Sequence, residues 1–401
     1  MAGINTRPVA CSLKKLGYTV YSADYFGVMD LKPCVDQYRS ILSQEPYQSC
    51  GNFKERFKSG EVEEMAADFL GEADSVICLA GVSLDTFPKG KIMGNKSVED
   101  ADDKLRLYQK LKNKFNLPLT FDVSDIGEAV EIAGNYPDKD FIIKPVQGSG
   151  GYGIRELGKS EKERDKVERE LDEAEKKMGK GKKESDEGED VDFANFLLQE
   201  KLTGLNLSSS VLATGSESRT ILTSQQIIGD KDLCQKEPYG YCGNIAPLTD
   251  GDIAEEISKA AEEIIDYLKL IGSNGVDFIL NDDGLFVIEV NPRIQGTMEC
   301  AEQSLNINMA EAHIRACQGD LMDVPQPSSF AVKMIVHARE QSQVGKLDFK
   351  DVYDLPAENV IIEEGEPVVT VISSSRVLED AVYSARKRVE DVYSNLNPAL
   401  T

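Results

Sequence analysis

The chain is poor in histidine, and its cysteines are scattered. His313 and His337 are the only histidines, which disfavours a histidine-based zinc site or a serine–histidine–aspartate triad. None of the eight cysteines forms a CxxC pair. In a long chain this pattern favours reduced thiols over a disulfide framework.

Basic residues are outnumbered by acidic ones, and long apolar runs are missing. The 45 lysines and arginines face 70 aspartates and glutamates, for a formal net charge of −25. Nucleic acids and anionic membranes both select basic surfaces, so neither is an expected partner. No apolar run approaches the roughly 18 residues needed to span a bilayer. The length of 401 residues suggests two or three domains, and we expect a cytoplasmic enzyme.

Residues 275–291 read as a β-hairpin that carries carboxylates in apolar surroundings. A loop at 282–284 would place Asp277 opposite Glu289, about 4.5 to 5.5 Å apart at Cβ. Asn291 follows Glu289 on the same face because side chains alternate along a strand. Like charges that close need a proton or a cation between them, and oxygen ligands suit Mg²⁺. The alternative is a solvent-facing hairpin, although both of its faces are apolar.

A glycine-rich loop follows the short apolar strand 141–145, which contains Lys144. Glycines leave backbone N–H groups able to approach phosphate closely. The spacing matches neither the Walker motif nor a dinucleotide fingerprint, and a flexible hairpin turn is the alternative. The candidate phosphate contacts are Gly148, Ser149, Gly150 and Gly151.

The N-terminal region reads as an open α/β unit. A helix at 9–16 precedes a strand at 18–24, and in such folds a central parallel strand comes before the first helix. Only Met1 and Ala2 precede Gly3. We therefore expect either that the natural gene starts further upstream or that the sheet has lost its first strand.

Two further stretches allow two interpretations each. Residues 236–247 are rich in glycine, proline and tyrosine, which fits either a substrate loop with Tyr239, Tyr241 and Asn244 or a rigid structural turn. A charged insertion at 158–191 begins with a capping box at Ser160. It fits either a solvated helical excursion or a docking arm.

These motifs, in this order, resemble the ATP-grasp superfamily of ligases, which includes biotin carboxylase and carbamoyl phosphate synthetase. The chain looks most similar to uncharacterised archaeal proteins described as predicted ATP-dependent carboligases. The resemblance implies two nucleotide lysines, an adenine hinge, three metal ligands and a catalytic arginine. In this order they are Lys104 and Lys144; Gln199, Glu200, Lys201 and Leu202; Asp277, Glu289 and Asn291; and Arg293. Many members carry an acidic ribose ligand after the hinge, where this chain offers Asn206.

The resemblance further implies an α/β fold with an N-terminal open parallel-sheet domain at 1–92. An ATP-grasp fold of two α+β lobes clasping ATP would follow at 93–320, and a small C-terminal α+β lobe at 321–401. It implies ATP and Mg²⁺ or Mn²⁺ as cofactors, and it places 236–247 where related ligases contact the second substrate. A carboxylate would become an acyl phosphate and then react with an amine or another nucleophile.

The alternatives are a small-molecule kinase on the same fold, a non-catalytic ATP-binding protein and, more remotely, a nicotinamide oxidoreductase. A homodimer is the assembly to test.

Overall fold

The computed structural model describes residues 1–148, 150–158, 160, 163–164, 166–167, 169 and 196–399. Its helices, in chain order, are α1 (Arg7–Lys15), α2 (Phe53–Arg56), α3 (Ser59–Ala67), α4 (Glu99–Asp102), α5 (Lys104–Leu111), α6 (Ile126–Gly134), α7 (Gly251–Leu268), α8 (Met298–Leu305), α9 (Met309–Cys317) and α10 (Leu378–Tyr393). Among the described helices, none is long and apolar enough to cross a bilayer.

The strands outnumber the helices and lie mostly after residue 196. They are β1 (Ala2–Gly3), β2 (Tyr21–Asp24), β3 (Gln37–Ser40), β4 (Thr120–Asp122), β5 (Phe141–Pro145), β6 (Arg155–Glu156), β7 (Phe196–Glu200), β8 (Leu205–Thr214), β9 (Ser218–Ile228), β10 (Tyr241–Ala246), β11 (Ile271–Asn281), β12 (Gly284–Asn291), β13 (Phe330–His337), β14 (Ser342–Val344), β15 (Val352–Tyr353), β16 (Ile361–Ile362), β17 (Pro367–Ser375) and β18 (Leu396–Pro398).

The chain forms two compact units. The first unit contains residues 1–98, 206–277 and 290–401, and the second contains 99–205 and 278–289. Strands β11 and β12 therefore contribute residues to both units. The boundaries predicted at 92 and 320 stay a prediction.

The first unit is built on the sheet β12-β11-β8-β9-β10-β13-β17-β15. The pairings β8–β9, β9–β10, β10–β13 and β13–β17 are antiparallel. One apolar cluster joins Val9 of α1 to Ala301 of α8 and Ala310 of α9. Another joins Val336 and Val371 of the sheet to α10. Burial of these side chains fixes the sheet between its helices.

Of the two expectations for the N-terminus, a sheet without its first strand is wrong, and a natural gene that starts further upstream stays a prediction. Ala2 and Gly3 form β1, which pairs in parallel with β2 at Ala23 and Asp24. On its other side, Ala2 bridges Cys78 in parallel. The backbone N–H of Ala2 donates to Ile77 O at 3.1 Å, and Leu79 N donates to Ala2 O at 2.8 Å. The first strand is thus present as two residues, which are too few to show a strand pattern in sequence.

One pair of cysteines departs from the reduced thiols that the sequence favours. Cys11 of α1 and Cys34 form a disulfide, with Cα atoms 4.7 Å apart. The six other cysteines are free. The two partners are 23 residues apart in sequence, so only the packing of α1 on the segment before β3 brings them together.

The second unit carries the antiparallel sheet β4-β7-β5-β6. Phe141, Ile143 and Leu198 form its apolar core with Val123 and Ala129. The Asp103 carboxylate accepts the first free N–H groups of α5, from Leu105 at 3.0 Å and Arg106 at 2.9 Å. This cap explains why α5 begins at Lys104.

The predicted capping box is confirmed. The Ser160 backbone N–H donates to Glu163 Oε2 at 2.9 Å, and the Glu163 N–H donates to Ser160 Oγ at 3.3 Å. Most of the remaining insertion lies outside the described residues.

Candidate functional site

Both predicted nucleotide lysines lie in the second unit and face the same carboxylate. Lys104 Nζ is 3.7 Å from Glu289 Oε1 and donates to Gly148 O at 2.9 Å. Lys144 is only 3% exposed. Because β5 is the inner partner of β7, with Lys144 opposite Leu197, the strand holds this lysine rigidly.

The charges around Lys144 are unbalanced. Burial, followed by repulsion from Lys104, lowers the pKa of Lys144 to about 7, and attraction to Glu289 only partly opposes this. In the described part of the chain no hydrogen bond or ion pair reaches Lys144 Nζ. A buried cation without its own anion is costly. This arrangement therefore suits an anionic ligand, and a triphosphate fits it.

The glycine loop has the backbone that its composition predicts. Gly148, Gly150, Gly151 and Gly153 have φ angles of +134°, +72°, +76° and +79°. Residues other than glycine rarely adopt such φ angles. Gly148 is tied to Lys104 through its carbonyl. The predicted contact Ser149 lies outside the described residues.

The predicted adenine hinge ends β7. The Gln199 amide donates to Thr120 Oγ1 at 2.8 Å and is buried. Glu200 pairs with Lys139 and accepts from Leu119 N at 3.1 Å. These side chains are therefore engaged inside the unit. In the described residues no hydrogen bond engages the backbone N–H of Leu202, and this group is what an adenine edge would need.

Lys201 of the hinge forms an ion pair, and Asn206 after the hinge is partly exposed. Lys201 donates from Nζ to Glu156 Oε1 at 2.7 Å. Asn206, the ribose candidate, is the second residue of β8 in the first unit and is partly exposed.

The hairpin has a shorter loop than predicted. β11 ends at Asn281 and β12 begins at Gly284, so the loop is the pair 282–283. The three-residue loop was wrong because Gly284, with a φ of +120°, already belongs to the strand. The Asn291 amide donates to Asp277 Oδ2 at 3.0 Å, which puts these two predicted ligands on one face.

Glu289 and Asn291 share a face by the two-residue period of β12. The described residues contain no group of three or more His, Cys, Asp or Glu side chains able to hold a metal. The predicted ligand set has two carboxylates and one amide, a hard oxygen donor set that fits Mg²⁺ when phosphate oxygens supply further ligands.

The loop 292–296, which we call the arginine loop, follows β12. Pro292 O accepts from Asn95 Nδ2 at 2.9 Å, and the same amide donates to Asn274 Oδ1 at 2.8 Å. Gln295 Oε1 accepts from Ser210 Oγ at 3.0 Å. Sequence patterns missed these supports because their partners lie far apart along the chain.

The Arg293 side chain makes fewer contacts than the backbone of the same residue. Arg293 is partly exposed, and within the described ranges no hydrogen bond or ion pair engages its guanidinium. Its backbone N–H donates to Asn291 O at 2.9 Å. The main chain of Arg293 is thus fixed, whereas its guanidinium could pair with an anionic ligand.

The predicted substrate loop at 236–247 is partly a strand. Tyr241 and Asn244 lie in β10, which pairs with β9 and β13, so the loop assignment is wrong for them. Glycine and tyrosine masked the strand in sequence. The Tyr241 hydroxyl donates to Asn244 Oδ1, and the Asn244 amide donates to Ser224 Oγ at 2.8 Å. Tyr239 remains in the loop before β10 and is partly exposed.

Tyr241 lies in acidic surroundings. Burial, together with the nearby negative charges of Asp277 and Glu299, raises the pKa of Tyr241 well above its usual value. Its hydroxyl therefore stays protonated and can donate a hydrogen bond.

Residues 101–297 match the model of the ATP-grasp domain. The chain contains an ATP-grasp domain. This match confirms the family resemblance and the fold class, and the parallel pairing of β1 with β2 confirms the N-terminal parallel sheet. The matched range ends at residue 297, directly after the arginine loop, and it includes every predicted nucleotide and metal residue.

The relatives extend the similarity beyond the ATP-grasp domain. An uncharacterised protein of Methanocaldococcus jannaschii is 28% identical over 97% of this chain and 93% of its own length. The tyramine–L-glutamate ligase of the same organism is 36% identical over 26% of this chain and 31% of its own length.

A solved structure shows the same fold. The biotin carboxylase domain of the Hydrogenobacter thermophilus 2-oxoglutarate carboxylase, solved with MgADP, ADP and bicarbonate, aligns with a TM-score of 0.70 at 15% identity. The alignment covers 97% of this chain and 87% of that one.

Proposed function

We propose that this protein is an ATP- and Mg²⁺-dependent ligase that activates a carboxylate as an acyl phosphate and joins it to an amine or another nucleophile. The observation that carries the proposal is the unbalanced Lys144, buried beside Lys104 with Glu289 as its nearby carboxylate. Such an excess of buried positive charge favours a polyanion. The ATP-grasp match supports ATP as this polyanion.

Each predicted residue then has a role within the proposal. Lys104, Lys144 and the glycine loop hold the phosphates, and Leu202 N–H with the hinge holds adenine. Asp277, Glu289 and Asn291 would hold Mg²⁺, which when bound neutralises charge developing on the phosphate oxygens. Arg293 pairs with the acyl phosphate.

The proposed reaction has two transfers. A carboxylate oxygen bonds to the γ-phosphorus while the bond to the β–γ bridging oxygen breaks, releasing ADP. The nucleophile, an amine in the simplest case, then attacks the acyl carbon, loses a proton and displaces phosphate. The partial similarity to a tyramine–glutamate ligase supports an amide product and makes amino acids the first carboxylates to test.

The test is ADP and phosphate release in Mg²⁺ against pools of carboxylates and amines. We expect both products to appear together and only when a carboxylate is present. Hydroxylamine should trap the intermediate as a hydroxamate in the absence of the amine.

The alternatives give different results in the same assay. A kinase would release ADP without phosphate. A non-catalytic ATP-binding protein would bind nucleotide and release neither product. The Lys144→Met variant is the matched control, and it should lose both nucleotide binding and turnover.

A further inference from the structure

The arginine loop is held at its far end by a buried lysine. Lys333 Nζ donates to Gly296 O at 2.9 Å and to Glu299 Oε2 at 3.0 Å. The side chains of Lys333 and Glu299 are only 7% and 10% exposed. The ammonium thus divides its bonds between one counterion and one loop carbonyl.

The lysine stands on a rigid base. It lies on β13, directly opposite Asn244 of β10 and Ile372 of β17. Its counterion is fixed as well, because Arg7 Nη1 lies 2.6 Å from Glu299 Oε1. Burial alone would raise the pKa of Glu299, but attraction to Arg7 and Lys333 outweighs it and lowers that pKa.

Packing holds the neighbours of Gly296 but not Gly296 itself. Ile294 and Met298 lie in an apolar cluster, whereas Gly296 is exposed and the nearest atoms to a Cβ there would be those of the Tyr241 ring and hydroxyl, at 3.4 Å or more. Stability does not explain the lysine either, since buried ion pairs are often no more stabilising than apolar residues of similar volume. The contact that remains to be explained is the one to the Gly296 carbonyl, three residues after Arg293.

We propose that Lys333 is a positioning residue of the ligase reaction. From strand β13 its ammonium fixes the Gly296 carbonyl, and through this carbonyl it positions the Arg293 guanidinium. Lys333 touches no reacting atom. The inference rests on the proposed function for the part that concerns turnover. The hold on the loop itself depends only on the contacts above.

The experiment compares Lys333→Met, Lys333→Arg and the control Lys259→Met, which removes an exposed helix-surface ion pair with Glu255. Amide hydrogen exchange is followed in peptides covering 293–298. In Lys333→Met we expect faster exchange there, with β13 still protected. We also expect kcat to fall about 100-fold, because a loop displaced by about 1 Å misplaces the arginine.

The remaining kinetic pattern separates positioning from nucleotide binding. The KM for MgATP should change less than about threefold, since the lysine contacts no nucleotide. Lys333→Arg, which keeps a charged donor, should recover most of kcat. Lys259→Met should match the wild type in both measurements.

Unchanged exchange at 293–298 in a folded Lys333→Met protein would overturn the proposal, whatever happens to kcat. A rise in the KM for MgATP that accounts for the lost activity would overturn it as well. If the wild type shows no ligase activity, the proposed function fails, yet the exchange measurement still decides whether Lys333 holds the loop. If Lys333→Met does not fold, Lys333→Met with Glu299→Gln removes both charges and undergoes the same tests.

Discussion

The two units each bury a group of charges, and the groups differ in their balance. In the first unit, Arg7 bonds Glu299 at 2.6 Å and Asp354 at 2.8 Å, while Lys333 bonds Glu299 at 3.0 Å. Burial would raise the pKa of Asp354, but attraction to Arg7 outweighs it and holds that pKa well below its usual value. Every charge in this group has an opposite partner.

In the second unit, Lys104 and Lys144 share the single carboxylate of Glu289, and the pKa of Lys144 falls to about 7. The comparison teaches that burial of charge does not by itself mark a ligand site. A balanced group satisfies its own charges and leaves none for a ligand. A group with surplus charge of one sign is complete only when a ligand brings the other sign.

The largest effect is expected at the unbalanced group. Glu289→Gln should lower ATP turnover about a thousandfold, because it removes a proposed metal ligand's charge and keeps its shape. The fold should survive, since this side chain is 25% exposed. Turnover at saturating Mg²⁺ is the measurement, with Glu255→Gln as a surface control. Near wild-type turnover would remove Glu289 from the metal site.

A substitution in the balanced group should lower the free energy of unfolding. Arg7→Met leaves Glu299 and Asp354 buried without their shared cation, and we expect the free energy of unfolding to fall by about 3 to 5 kcal/mol. Urea denaturation measures the loss. Arg39→Met, which breaks an exposed ion pair with Asp68, should change it little. Equal effects of the two variants would contradict the distinction between the groups.

The disulfide sharpens the same comparison, because Cys11 lies one turn after Arg7 on α1. Closing a loop of this length should stabilise the fold by about 3 kcal/mol through the unfolded chain. Cys11→Ser with Cys34→Ser should lose about that much in urea denaturation. The single variants and mass analysis of the unreduced protein are the controls. A free thiol count of eight in the native protein would contradict the pairing.

The smallest effect concerns protons at Lys144. Its pKa of about 7 leaves it mostly neutral at pH 8, and a bound triphosphate should recharge it. Nucleotide binding at pH 8 should therefore take up a fraction of a proton, and affinity should fall as pH rises above 7. Calorimetry in buffers of different ionisation enthalpy measures the uptake. Binding heats that do not depend on the buffer would show that Lys144 is already charged before the nucleotide binds.

The lowered pKa of Lys144 also sets the direction in which the free energy of unfolding changes with pH. Between pH 7 and the usual lysine pKa of 10.5, the unfolded chain holds a proton that the folded protein lacks. This group alone should therefore make the free energy of unfolding rise with pH across that range. A difference between the wild type and Lys144→Met that stays constant over that range would show that the lysine is charged in the folded protein.

Local patterns predicted much of the fold. The helix at 9–16 and the strand at 18–24 appear as α1 and β2, because apolar period and glycine punctuation act within a few residues. The prediction of a loop at 236–247 was wrong for the residues of β10, because this strand owes its extended form to β9 and β13 on either side. The roles of individual site residues stay predictions, since position alone does not test them.

The sequence by itself determined the order of the motifs, the glycines of the phosphate loop and the carboxylates of the hairpin, because each is written within a short stretch. Only the tertiary structure decided which charges are shared. Lys104 meets Glu289, and Lys333 meets Gly296, across separations that no local period records. Charge balance depends on distance and burial together, and folding alone sets both.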